Sequence, residues 1–139
     1  MKVRRKARMV ALQTLYEVDL ARHPWEEVLA RHLEEQELPL EAQELATSLI
    51  SGVVANRPQL DAIIGQIAPQ WPCHQLAAID RNILRMAIYE IMMAPDVPVK
   101  VAINEAVELA KKFGSEGSRR FINGALGALA AQQALPEVK

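Results

Sequence analysis

A single cysteine, Cys73, stands among the 139 residues. One thiol cannot close an internal disulfide, which fits a reducing compartment, and a cytoplasmic location is expected. No run of about 18 uncharged apolar residues occurs, so hydropathy provides no membrane-spanning helix. The basic N-terminus leads into an apolar stretch broken by Gln13, Glu17 and Asp19, which a secretory signal core would not carry. Alternating strand patterns and fixed-period repeats are missing too, so neither a sheet nor a solenoid is expected.

Catalytic chemistry is just as thin. Cys73 and His74 are adjacent, and neighbours on a helix point about 100° apart with no third group to orient them. His23, His32 and His74 lack paired metal-ligand spacing. Glu105 and Glu108 lie one turn apart on an amphipathic helix, the usual pattern of a solvated face. The link Gly114 to Ser118, GSEGS, follows no strand and contains no Gly-Lys-Ser/Thr, so it joins helices and is not a phosphate loop. No catalytic residue, metal or cofactor is expected, and the chain should not turn over a substrate.

What is present is apolar residue at helical spacing and charge sorted by region. Hydrophobic residues make up 50% of the chain, enough for a sizeable interior in one domain or in two small helical halves sharing a core. The net charge of −1 conceals a segregation. Lys2, Arg4, Arg5, Lys6 and Arg8 occur without an acid, whereas Glu26, Glu27, Glu34, Glu35, Glu37, Glu41 and Glu44 face only Arg31. Lys111, Lys112, Arg119 and Arg120 form a second basic segment. Together the two basic segments would make one polyanion-binding surface; separately, each reads equally well as a solvated end.

Helices joined by proline- or glycine-marked turns account for the whole chain. The first runs from about Val3 to Ala21, with Ala7, Val10, Ala11, Leu15 and Val18 buried and Arg4, Arg5 and Arg8 facing solvent. A second begins near Pro24 with Trp25 in the core, a third covers about Leu40 to Ala55, and Asn56 caps a fourth. Pro69, Trp71 and Pro72 mark the join between halves of about 1–70 and 71–139. A long helix from about His74 to Met93 belongs at the centre, with Asp80, Arg81, Arg85 and Glu90 away from its apolar face. Pro98 ends that segment, and a helix from near Lys100 buries Ala102, Ala106, Leu109, Ala110 and Phe113. Gly114 caps its end, and Ser115 or Ser118 caps a last helix from about Ser118 to Gln132. There Gly124, Ala125, Gly127 and Ala128 present a thin surface for close helix approach.

The segment Pro98 to Leu126, containing VAINEAVELAKKFG and then SRRFINGAL, closely resembles the C-terminal signature of the NusB transcription antitermination factors. RRKARMVALQTLYEVDL resembles that family's first helix, and AAIDRNILRMAIYEI its central one. The resemblance implies an all-α bundle of about seven helices in two small halves. It also implies binding of single-stranded boxA RNA through the first helix and the start of the last, here Arg4, Arg5, Lys6, Arg8, Tyr16, Arg120 and Phe121. Arginine gives charge-assisted bonds to phosphate and an exposed aromatic stacks on an unpaired base. Phe121 lies four before Ala125 and seven before Ala128, so an ordinary core position fits it as well. NusE is the implied protein partner, with Asp80, Arg81, Arg85 and Glu105 as candidate contacts, solvated ion pairs being the alternative for each. Other Nus factors would connect the pair to transcribing RNA polymerase, and a homodimer is compatible with the family. Two departures stand out: Gly117 replaces a frequent acid before the last-helix serine, and Gly127 replaces an aspartate after Asn123-Gly124-Ala125-Leu126. The alternative readings are the accessory domain of an RNA cytosine methyltransferase, whose catalytic part this chain lacks, and a helical homodimer with an incidental basic face.

Overall fold

The structure, a computed structural model, describes residues 2–133 and consists of helices, with no strand among the described residues. It divides into two compact units, Met1–Ala55 and Asn56–Lys139.

In the first unit α1 (Val3–Ala21) packs against α2 (Trp25–Glu35) and α3 (Leu40–Ala55). Apolar residues at three- and four-residue spacing give α1 one buried side, including Ala7, Val10, Ala11, Leu12 and Leu15, and Ala46, Leu49, Ile50 and Val53 do the same for α3. Trp25 is half-buried rather than enclosed, because it opens α2 at its exposed end. A second fastening between α1 and α2 is polar. The Arg31 guanidinium donates to Glu17 Oε1, and His23 Nδ1 lies 3.3 Å from Glu17 Oε2. The Arg31 hydrogen bond holds the Glu17 carboxyl below its usual range, with a smaller contribution from His23. α1 stops at Arg22, whose left-handed backbone (φ 59, ψ 29) lets its N–H reach the Val18 carbonyl at 3.0 Å.

The second unit contains α4 (Arg57–Ile67), α5 (Ala78–Ile88), α6 (Val99–Phe113) and α7 (Ser118–Gln133). Because α4 packs on α5 and α7, the division falls at Ala55/Asn56, and the Pro69–Pro72 segment lies inside this unit. Asn56 precedes α4, but its side chain makes no capping bond; Pro58 in the first turn restricts the entry instead.

The expected His74–Met93 helix is three pieces: a 3-10 turn at Cys73–Gln75, α5, and a wider π turn at Tyr89–Met93. Leu76 and Ala77 are extended between the first two, with ψ of 147 and 136. Arg81 holds that break, donating from Nη1 to the carbonyls of Cys73 (3.3 Å) and Leu76 (3.0 Å). The π turn closes through Ala94 N–H to the Tyr89 carbonyl at 3.0 Å, just before Pro95.

α5 also differs from expectation in what it buries. Asp80, Asn82, Arg85 and the following Glu90 are all enclosed with its apolar residues. Arg85 makes this tolerable by a two-pronged bond to Asp61 of α4, Nε to Oδ1 at 2.7 Å and Nη2 to Oδ2 at 3.0 Å. Its Nη1 also donates to Asn82 Oδ1 at 3.2 Å, and Asn82 Nδ2 donates to the Ala78 carbonyl at 2.8 Å.

α6 begins at Val99, directly after Pro98, and buries Ala102, Ala106, Leu109 and Ala110 as the spacing requires. Gly114 ends it without a left-handed backbone. Its need for glycine is steric: a Cβ there would meet Ser118 Cβ and Oγ at 2.5 Å and the Ala110 carbonyl at 2.7 Å. The serines after it do not cap α7 in the usual way. Ser115 N–H donates to Ser118 Oγ at 2.9 Å while Ser118 N–H returns to the Ser115 carbonyl at 3.1 Å, a small closed turn. Gly124 and Gly127 would meet nothing within 4 Å if given a Cβ, so the close approach expected there belongs to the buried Ala125 and not to the glycines.

Candidate nucleic-acid interface

On α1 the predicted residues fall into distinct environments. Lys6 is exposed and Tyr16 is 38% exposed, while Arg4 and Arg5 are half-buried. Arg5 and Tyr16 are eleven residues apart. At about 100° and 1.5 Å per residue they share one line along the helix, roughly 16 Å apart. Arg8 does not face solvent as expected: it is 3% exposed. The cause is helical arithmetic, since Arg8 stands four residues before Leu12 and seven before Leu15, both buried.

On α7 the first turn gives a simpler picture. Arg119 and Arg120 are exposed, Phe121 is half-buried, and Ser118 and Ile122 are enclosed. Two guanidiniums therefore stand at a helix N-terminus, where unpaired amide N–H groups already carry partial positive charge. Arg119, which belongs to the second basic segment of the sequence but not to the contacts the family resemblance implies, shares Arg120's exposure.

Phe121 also borders a recess of about 270 Å³ lined by Trp71, Gln75, Leu76, Ala77 and Asp80. Trp71 is 54% exposed, held beside Pro72 and ahead of the 3-10 turn. Asp80 is 9% exposed, and its Oδ1 makes no hydrogen bond. Nothing in the spacing of Trp71, Gln75 and Phe121 reveals this grouping, because the break at Leu76–Ala77 creates it.

The remaining partner candidates separate by burial. Arg81 is half-buried and occupied with the carbonyls already described; Arg85 is 3% exposed and committed to Asp61; Glu105 is half-buried on α6. Arg85 thus presents no solvent-facing guanidinium. Beside this pair, burial and then the negative charge of Asp61 push the Cys73 thiol above its usual pKa. A raised thiol is a poor nucleophile at neutral pH. No group of three or more His, Cys, Asp or Glu suited to a metal occurs among the described residues, and no helix there is long and apolar enough to cross a membrane.

An all-α chain with a basic, aromatic-bearing helix start is a nucleic-acid-binding module in outline, and similarity to known proteins makes the assignment definite. The family model for NusB matches residues 5–131, and the chain belongs to the NusB family. It is 55% identical over 126 residues to a transcription antitermination protein NusB of Dehalococcoides mccartyi strain CBDB1, covering 91% of this chain and 88% of that one. Among solved structures, NusB of T. maritima superposes with a TM-score of 0.89 at 34% identity, over 98% of this chain and 96% of that one. A chain from a structure of the antitermination factors NusB and NusE in complex with dsRNA matches with a TM-score of 0.87 at 27% identity, over 95% of this chain and 98% of that one.

Proposed function

We infer that this protein is an RNA-binding adaptor of transcription antitermination, which engages boxA of nascent RNA together with NusE and turns over no substrate. The observation that carries the reading is the first turn of α7, where exposed Arg119 and Arg120 stand directly before the half-buried ring of Phe121. That arrangement offers charge to phosphates and a face to an unpaired base. Family membership supports the same reading, as does the naming of both NusE and RNA in the structure cited above. On α1, Arg4, Arg5, Lys6 and Tyr16 are a second set of RNA contacts, and the enclosed Arg8 lies on that helix's buried side. Glu105 is the NusE-facing residue, whereas Arg81 holds the turn before α5 and Arg85 locks α4 to α5. The setting is the cytoplasm, where transcription and NusE are both available.

Fluorescence anisotropy of a labelled boxA strand and a scrambled strand, with and without NusE, tests this. Preference for boxA, increased by NusE and weakened by salt, is expected. Equal binding of both strands under all conditions would reduce the site to a nonspecific polyanion surface.

A further inference from the structure

We propose that Ser118 is a positioning residue for RNA binding: its hydroxyl ties the link before α7 so that Arg119 and Arg120 are held in place for phosphates. This role rests on the RNA-binding reading above and deepens it. Ser118 sits at a boundary. It is 2% exposed while Arg119 and Arg120 are exposed, so the chain passes from anchored to open within one residue. Gly114 supplies the anchorage, because its missing Cβ leaves the space that Ser118 Cβ and Oγ fill beside the Ala110 carbonyl. The start of α7 is thereby seated on the end of α6.

Hydrogen bonds close the link. Gly114 N–H still donates to the Ala110 carbonyl of α6 at 2.9 Å, whereas the next amide, Ser115 N–H, donates to Ser118 Oγ at 2.9 Å. Ser118 N–H returns to the Ser115 carbonyl at 3.1 Å, and the two hydroxyls lie 3.2 Å apart. A side chain that reaches back three residues to the N–H at a helix entrance is one half of a capping box. Deleting its oxygen leaves the Ser115 N–H without that partner and lets the entrance open.

Charge makes such a tie necessary. Lys111 and Lys112 end α6, Arg119 and Arg120 begin α7, and Glu116 is the single acid between them. Like charges on both sides of so short a link repel one another and favour a splayed path. A tie made by an enclosed hydroxyl resists that repulsion without neutralising any cation, so the arginines keep their attraction for phosphate. A wandering helix entrance would have to be ordered at the moment of binding, and holding it beforehand raises affinity.

A double-mutant cycle on the full chain tests this, with binding of a labelled boxA strand read by fluorescence anisotropy at low salt and NusE present throughout. Ser118→Ala keeps Cβ and removes only Oγ. In the wild-type background it should weaken RNA binding roughly fivefold, the change that corresponds to one lost capping bond. In the Arg119→Ala/Arg120→Ala background it should change nothing further, because the groups it positions are gone. Ser115→Ala keeps the backbone N–H and carbonyl and should bind as wild type; a loss equal to that of Ser118→Ala would overturn the assignment to Ser118. Equal weakening by Ser118→Ala in both backgrounds, or none in the wild-type one, would overturn the positioning role and leave the RNA reading standing. Absence of binding by the wild-type protein would overturn both. Should Ser118→Ala fail to fold, amide hydrogen exchange of the wild-type protein decides: RNA should slow exchange at Ser115 N–H, and exchange that RNA leaves unchanged would overturn the role.

Discussion

α5 and α7 each carry a pair of arginines, and they use them oppositely. Arg81 and Arg85 are turned inward, one closing the carbonyls of a 3-10 turn and the other gripping Asp61 from α4. Arg119 and Arg120 lie exposed at a helix start. The difference follows from neighbours: α5 sits against α4, α6 and α7, so nearly every side it has is covered, whereas the first turn of α7 follows a tight serine turn at the surface. Guanidinium groups inside a fold act as cross-links, and those outside remain available for phosphate. An arginine's role is thus set by what surrounds its helix.

The largest consequence should come from breaking the inward pair. Arg85→Ala leaves Asp61 and Asn82 without their partner and opens a void, and a loss of about 3 kcal/mol is expected, the low end for a broken buried pair because Asp61 keeps 31% exposure. Thermal unfolding followed by circular dichroism reads this. A shift no larger than that of a surface arginine would place Arg85 outside the core.

Enclosed and open positions should separate in the same way for glycine. Gly114→Ala forces a Cβ to within 2.5 Å of Ser118, and about 1–3 kcal/mol of stability should be lost. Gly124→Ala meets open space inside a helix and should gain about 0.5–1 kcal/mol. Equal effects from the two substitutions in denaturant titration would contradict the serine-turn geometry.

A smaller effect concerns pH. The Cys73 thiol is raised by burial and by Asp61, so the folded state favours its neutral form. That contribution is complete below the unfolded thiol pKa of about 8.5 and is lost as pH rises through the higher folded value. Cys73→Ser should therefore flatten the alkaline fall of the melting temperature. Thiol-reagent labelling at about pH 8 should be slower in the native protein than in the urea-unfolded chain; equal rates would remove the shift.

The helices were legible from sequence because their apolar spacing is regular: α1 and α6 follow the periodicity to within a residue at Val3 and Val99. Tertiary context decided the rest. Arg8 reads as displaced from the stripe of Ala7, Val10, Ala11, Leu15 and Val18, yet its spacing to Leu12 and Leu15 puts it on the buried side. The break after Gln75 is not legible because Leu76 and Ala77 fit a helical pattern, and it is held by Arg81 on the following turn, which donates to the Cys73 and Leu76 carbonyls. Arg120 and Phe121 were found through the signature they sit in, while Trp71 and Gln75 join them only through the fold.

The most direct test of the outward arginines is the salt dependence of RNA binding by an Arg119→Ala/Arg120→Ala double variant. If each arginine neutralises one phosphate of a single strand, the slope of log K against log salt should shallow by about 1.4 relative to wild type, with stability within about 0.5 kcal/mol. An unchanged slope with unchanged stability would mean that this helix start does not touch the RNA, and the account of α7 would fail.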